Sequence, residues 1–156
     1  MAEEIIRIAN CSGFYGDKLS AAKEMVEGGP IDVLTGDYLA ELTMAILYSQ
    51  KLQRGEDKGY VGTFLKQLKD IAKTCKDQNI KIISNAGGLN PKSMAKEVDT
   101  ILAELAIDAT VAYIQGDDLI KDLEQLQTEG ETFENIDRKI PLAESGCKVL
   151  SANTYL

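Results

Sequence analysis

Histidine and tryptophan are both absent from this chain of 156 residues. Without an imidazole there is no Ser-His-Asp triad, no Cys-His dyad and no histidine-containing zinc site. Acid–base chemistry must then come from carboxylates, Cys, Lys or Tyr. Aromatics are 6% of residues, which leaves little for stacking on sugars or bases. The three cysteines, Cys11, Cys75 and Cys147, are widely separated and form no C-x-x-C pair, so they read as reduced thiols. No apolar run approaches the roughly 18 residues of a membrane-spanning helix. The start, Met1-Ala2-Glu3-Glu4, is acidic where a secretory or transit peptide is basic, so the expected compartment is the cytoplasm. Basic residues are also scarce: 17 Lys and Arg face 25 Asp and Glu, a net charge of −8. With no local basic patch, such a surface repels phosphate backbones and anionic lipid, so neither nucleic acid nor membrane is an expected partner.

What is present is ordinary for a globular protein, with 44% hydrophobic and 27% charged residues over one domain's length. Residues 1–156 are therefore expected to form a single α/β domain. Short β-type runs alternate with helical ones. Ile5-Ile6-Arg7-Ile8-Ala9, Ile31-Asp32-Val33-Leu34, Ile80-Lys81-Ile82-Ile83-Ser84, Thr110-Val111-Ala112-Tyr113-Ile114 and Lys148-Val149-Leu150-Ser151-Ala152 read as strands. Helices are expected over residues 19–27, 38–53, 60–77, 91–105 and 119–126, from apolar residues recurring at helical spacing. Gly28-Gly29-Pro30 supplies the stop of the first, and Pro91 suits the first turn of the fourth. Residues 127–138 read as an exposed acidic connection. Strict alternation implies βαβ units and a doubly wound, Rossmann-like open sheet, mainly parallel, of about five strands with helices on both faces.

In such a sheet, ligands bind beyond the carboxyl ends of the strands. Three expected strands finish at or near an asparagine: Asn10, Asn85 and Asn153. Their amides could converge on a carbonyl, carboxylate or hydroxyl, although Asn is also favoured in turns for its bonds to its own backbone. Cys11-Ser12-Gly13-Phe14-Tyr15-Gly16-Asp17 lies between strand and helix, and Gly13 and Gly16 with the helix N-terminus make a candidate anion cradle or a tight turn. It is neither a P-loop nor a dinucleotide fingerprint. Gly87 and Gly88 let the backbone of the Asn85 loop pass close to a ligand or to another strand. In Thr35-Gly36-Asp37-Tyr38-Leu39-Ala40-Glu41, Asp37 and Glu41 are four apart and can share a helix face, as an acid/base or metal-binding pair or as a cap and a dipole partner. Asp117 and Asp118 follow Gly116 and could hold a divalent cation or cap a helix. The sequence requires no cofactor and leaves the question of a metal open. Cys11 is a thiolate nucleophile if it lies at a helix N-terminus and a small core residue otherwise; Cys75 falls on an apolar helix face.

The stretches Arg7-Ile8-Ala9-Asn10-Cys11-Ser12-Gly13-Phe14-Tyr15-Gly16-Asp17 and Gly29-Pro30-Ile31-Asp32-Val33-Leu34-Thr35-Gly36-Asp37-Tyr38-Leu39-Ala40-Glu41-Leu42-Thr43 resemble the N-terminal signature of the AtuA-like acyclic terpene utilisation family. Asn85-Ala86-Gly87-Gly88-Leu89-Asn90-Pro91 and Val149-Leu150-Ser151-Ala152-Asn153 resemble later stretches of the same pattern. The resemblance covers the chain and implies the first portion of a longer family member. It implies catabolism of acyclic terpenes and related branched acids through CoA thioesters, and assigns no residue a catalytic role.

Two functions follow. One is a domain that binds a small carboxylate or acyl-CoA for hydratase- or lyase-type chemistry. Asp37, Glu41 and Asp117 would be its acid/base groups. Asn10, Asn85 and Asn153 would be its amides, with Cys11, Ser12, Gly13, Gly16, Gly36, Gly87 and Gly88 lining the ligand. The other is a non-catalytic anion-binding or assembly module, a homo-oligomer or a partner's subunit.

Overall fold

The computed structural model describes residues 5–154, so the acidic start Met1-Ala2-Glu3-Glu4 lies outside the described residues. The chain divides into two compact units at Ile114 and Gln115. The first contains β1 (Ile8–Asn10), α1 (Ala21–Glu27), β2 (Val33–Gly36), α2 (Glu41–Arg54), α3 (Gly62–Asp77), β3 (Lys81–Ser84) and α4 (Pro91–Glu104). The second contains α5 (Leu123–Thr128) and α6 (Leu142–Ser145).

The three strands form a parallel sheet in the order β1-β2-β3. Ile8 lies level with Val33, and Val33 with Lys81; Asn10 lies level with Thr35, and Thr35 with Ile83. Successive side chains point to opposite faces, and only one face is covered. Leu34 is fully buried on it and Ile82 is half-buried, while Ile8 and Ile83 on the other are 66% and 60% exposed. Val26 of α1 and Ile71 and Cys75 of α3 pack with Leu34 and Ile80.

This corrects the expected doubly wound sheet in two respects. The sheet has three strands, not about five, among the described residues. The helices that pack on it lie on one face. The reason is strand order: β1-β2-β3 moves in one direction, so right-handed crossovers place α1 and α3 on the same side. Helices on both faces require a reversal of order, which alternation along the sequence does not encode. Residues 110–114, at the end of the first unit, and 148–152, in the second, carry β-type side chains but form no ladder among the described residues; the second unit shows only two isolated bridges there, Asp118 with Asn153 and Glu134 with Pro141.

A second cluster joins α2, α3 and α4. Leu47, Phe64, Leu68, Met94, Ile101 and Leu102 close on Tyr38, Tyr60 and Val61 from the loops. Tyr38 and Phe64 meet edge to face with ring centres 6.1 Å apart. The start of α4 is built as its sequence suggests: Pro91 occupies the first turn, and Asn90 Oδ1 accepts the Ser93 amide at 3.1 Å.

Candidate functional site

The carboxyl ends of β1, β2 and β3 carry a continuous chain of polar contacts. Asn10 Nδ2 donates to the Ser12 carbonyl at 2.9 Å, and Asn10 Oδ1 accepts from Thr35 Oγ1 at 3.2 Å. The Asp37 amide donates to the same Ser12 carbonyl at 3.0 Å. Asn85, just past β3, then clasps the end of β2: its Oδ1 accepts the Tyr38 amide at 2.8 Å and its Nδ2 donates to Asp37 Oδ1 at 2.7 Å. Asn10, Asp37 and Asn85 are all exposed, so the clasp sits at the surface on a rigid floor.

That floor is Tyr38. Its ring is buried, and its hydroxyl donates to Gln67 Oε1 at 2.5 Å, while the backbone carbonyl of Tyr38 accepts from Thr43 Oγ1 at 2.9 Å. Burial raises the phenol's pKa well above its ordinary value, so the hydroxyl keeps its proton and serves as a donor. Gly36 gives it room, since a Cβ there would meet a Tyr38 ring carbon at 2.6 Å.

Cys11 is buried, 3.9 Å from the Tyr38 hydroxyl, and burial pushes its thiol above the ordinary value. Of its two readings, the buried protonated thiol is the one the geometry supports. Cys75 is also core, its thiol pushed up to about 11 by burial.

The candidate anion cradle is occupied by the chain itself. Asp17 Oδ2 accepts the Gly13 amide at 3.0 Å and Asp17 Oδ1 the Lys18 amide at 2.7 Å. These bonds, Gly13 first, hold the Asp17 carboxyl below its usual range. Ser12 is buried with its hydroxyl turned to the Phe14 carbonyl at 3.0 Å. Gly13 and Gly16 do have open space around them. Gly87 and Gly88 instead sit against their own chain: a Cβ on Gly87 would meet Pro91 Cβ at 2.7 Å, and one on Gly88 would strike Leu47.

Asp37 does not cap α2. The helix starts at Glu41 after Ala40, leaving Asp37 free for Asn85, and Glu41 stands exposed on the first turn. Glu41 does not join the chain of bonds just described. Asp117 and Asn153 belong to the second unit, where Asn153 Nδ2 donates to Asp117 Oδ2 at 2.9 Å. Asp118 Oδ1 accepts the Ile120 amide at 3.0 Å. Among the described residues, no group of three or more Cys, Asp or Glu is placed to hold a metal ion.

A family model described as acyclic terpene utilisation family protein AtuA matches residues 6–156. The chain belongs to the AtuA family. No curated protein and no solved structure matches it. The AtuA match runs through both units, so the Asp37–Asn85 and Asp117–Asn153 pairs both lie within it. Among the described residues of this AtuA chain, no helix is long and apolar enough to cross a membrane.

Thr35, Tyr38, Gln67 and Asp17 support the site yet were not singled out from sequence. Only Asp17 left a trace there, as a carboxylate four residues beyond the glycine it bonds.

Proposed function

We propose that this AtuA chain binds a branched carboxylate or its CoA thioester at the carboxyl ends of β1–β3, for hydratase- or lyase-type chemistry. The Asp37–Asn85 clasp carries the reading. It engages Oδ1 of Asp37, leaving Oδ2 as the general base that takes a proton from water or from the carbon next to a thioester carbonyl. Each amide nitrogen has two N–H groups, and Asn10 and Asn85 commit one apiece to the bonds above. The second N–H of each is the donor for a developing enolate oxygen. Glu41 is the further acid–base candidate of this unit, and Asp117 is one within the second unit. The substrate class comes from the family description, because acyclic terpenes have branched carbon skeletons.

The test follows hydration of a branched 2-enoyl-CoA by mass spectrometry. Turnover by the wild-type chain, reduced by ~100-fold or more in Asp37→Asn, supports the reading. Equal turnover in both removes Asp37 from the chemistry.

The exposure of Ile8 and Ile83 on the sheet's open face favours a second reading, an assembly module, because parallel sheets are usually covered on both faces. A mass that rises with concentration and no turnover at all would support that alternative.

A further inference from the structure

The open face of the sheet runs without a break into the polar contacts at the strand ends. Residues level in register share a face, and Asn10, Thr35 and Ile83 form one level across β1, β2 and β3. Thr35 Oγ1 donates to Asn10 Oδ1 at 3.2 Å, so these two side chains leave the sheet on the same side. Asp37 and Asn85, bonded to each other at 2.7 Å, follow Thr35 and Ile83 by two residues. Ile8, Val33 and Lys81 form the level below. Aliphatic side chains therefore run diagonally from Ile83, beside the polar contacts, through Val33 to Ile8. Ile83 and Ile8 are mostly exposed and Val33 is half-buried, although parallel strands usually bury both faces. Size decides what this patch fits. With strands ~4.8 Å apart and levels ~6.6 Å apart, it measures on the order of 10 Å each way. A stable protein interface buries about 800 Å² on each partner, several times more than this patch offers. One short hydrocarbon chain does fit it.

We propose that this face is the subsite for the ligand's branched hydrocarbon chain, which lies over Ile83, Val33 and Ile8 while its carboxyl or thioester group sits at Asp37 and Asn85. The inference rests on the acyl-CoA reading above and adds to it the course of the chain and the side chains that select it. A ligand with a polar head and an apolar tail matches the order of the face: amides and a carboxylate at the strand ends, aliphatic side chains behind them. Lys81, exposed at the start of β3, ends the apolar patch with a charge. One side of the bound chain stays open to water, so each carbon gains less than it would in a closed pocket.

Titration calorimetry of the whole chain with 3,7-dimethyloctanoyl-CoA and with acetyl-CoA tests it, because the two differ only in the chain. Wild type should prefer the longer thioester by about 30-fold. In Ile83→Asn that ratio should drop to about fivefold, with Ile83→Thr, which keeps the β-branch, between the two. A wild-type ratio near one, or a ratio that both variants leave intact, would overturn the subsite while sparing the acyl-CoA reading. Binding of neither thioester would overturn that reading and the subsite with it. A dimer of the unliganded chain that Ile83→Asn splits, read by sedimentation, would also overturn the subsite, since a second copy would then cover the face.

Discussion

The two units differ in what stands beneath the same kind of contact. In each, an asparagine amide holds an aspartate carboxylate: Asn85 to Asp37 at 2.7 Å, and Asn153 to Asp117 at 2.9 Å. Under the first lie parallel strand ends, the buried Tyr38 ring and a core; every buried hydrophobic side chain among the described residues falls between Cys11 and Leu102. Under the second lie two isolated bridges and two short helices with no buried residues. A segment of about 40 residues rarely builds a sufficient core by itself. Local polar chemistry is thus available anywhere in a chain, but it becomes a rigid constellation only where apolar burial fixes the backbone that carries it.

The largest contrast should come from truncating apolar side chains. Leu47→Ala, at a position 0% exposed, should cost about 2–5 kcal/mol in urea unfolding. Ile136→Ala, 82% exposed in the second unit, should stay within about 0.5 kcal/mol. Comparable losses at both sites would break the comparison.

Tyr38→Phe comes next. It strips the hydroxyl from a buried pair and leaves Gln67 Oε1 without that donor, a loss of about 1–3 kcal/mol. Unfolding midpoints check it, and a neutral result would mean the phenol does not anchor the Asp37 loop. Asn85→Ala should cost about 1 kcal/mol, because the Tyr38 amide it satisfies lies over the core. Asn153→Ala should cost less, since its partners are exposed and water replaces the bond.

The smallest effect is electrostatic. The Arg7 side chain, chiefly by hydrogen bonding, holds the Asp32 carboxyl at about 2, below its ordinary 3.8. A depressed carboxylate stabilises the fold fully above its unfolded pKa, and that contribution is lost as pH falls from about 4 through about 2. The melting temperature of Arg7→Ala should therefore fall less steeply than wild type across that window. Both side chains are exposed, so the difference is modest.

Much of the first unit was legible in its sequence. β-branched runs marked β1, β2 and β3 to within about three residues, and Gly28-Gly29-Pro30 and Asn90-Pro91 punctuated α1 and α4 through backbone chemistry that is local. The meeting of Asn10, Asp37 and Asn85 was partly legible, because strand ends of a parallel sheet share one edge. Strand order was not, since it depends on which elements pack together after the local choices are made; hence the one covered face. Nor was the role of Asp17, which fills the cradle that Gly13 was expected to offer a ligand. Residues 148–152 show the limit from the other side: they have strand-type side chains, yet a strand also needs a neighbour and a face to bury.

The most direct measurement is a thermal melt of the whole chain with and without a branched acyl-CoA, in wild type and in Asp37→Asn. Asparagine keeps an oxygen to accept from Asn85 but loses the charge. The account predicts that the thioester raises the wild-type transition, by about 2.7 kcal/mol of stability at a hundredfold excess over its dissociation constant, and raises that of Asp37→Asn as much or more, because a general base is not needed for binding and its charge repels an anionic ligand. A wild-type transition that ignores the ligand, or a shift that Asp37→Asn abolishes, would contradict an Asp37 that acts as base in a ligand site at these strand ends.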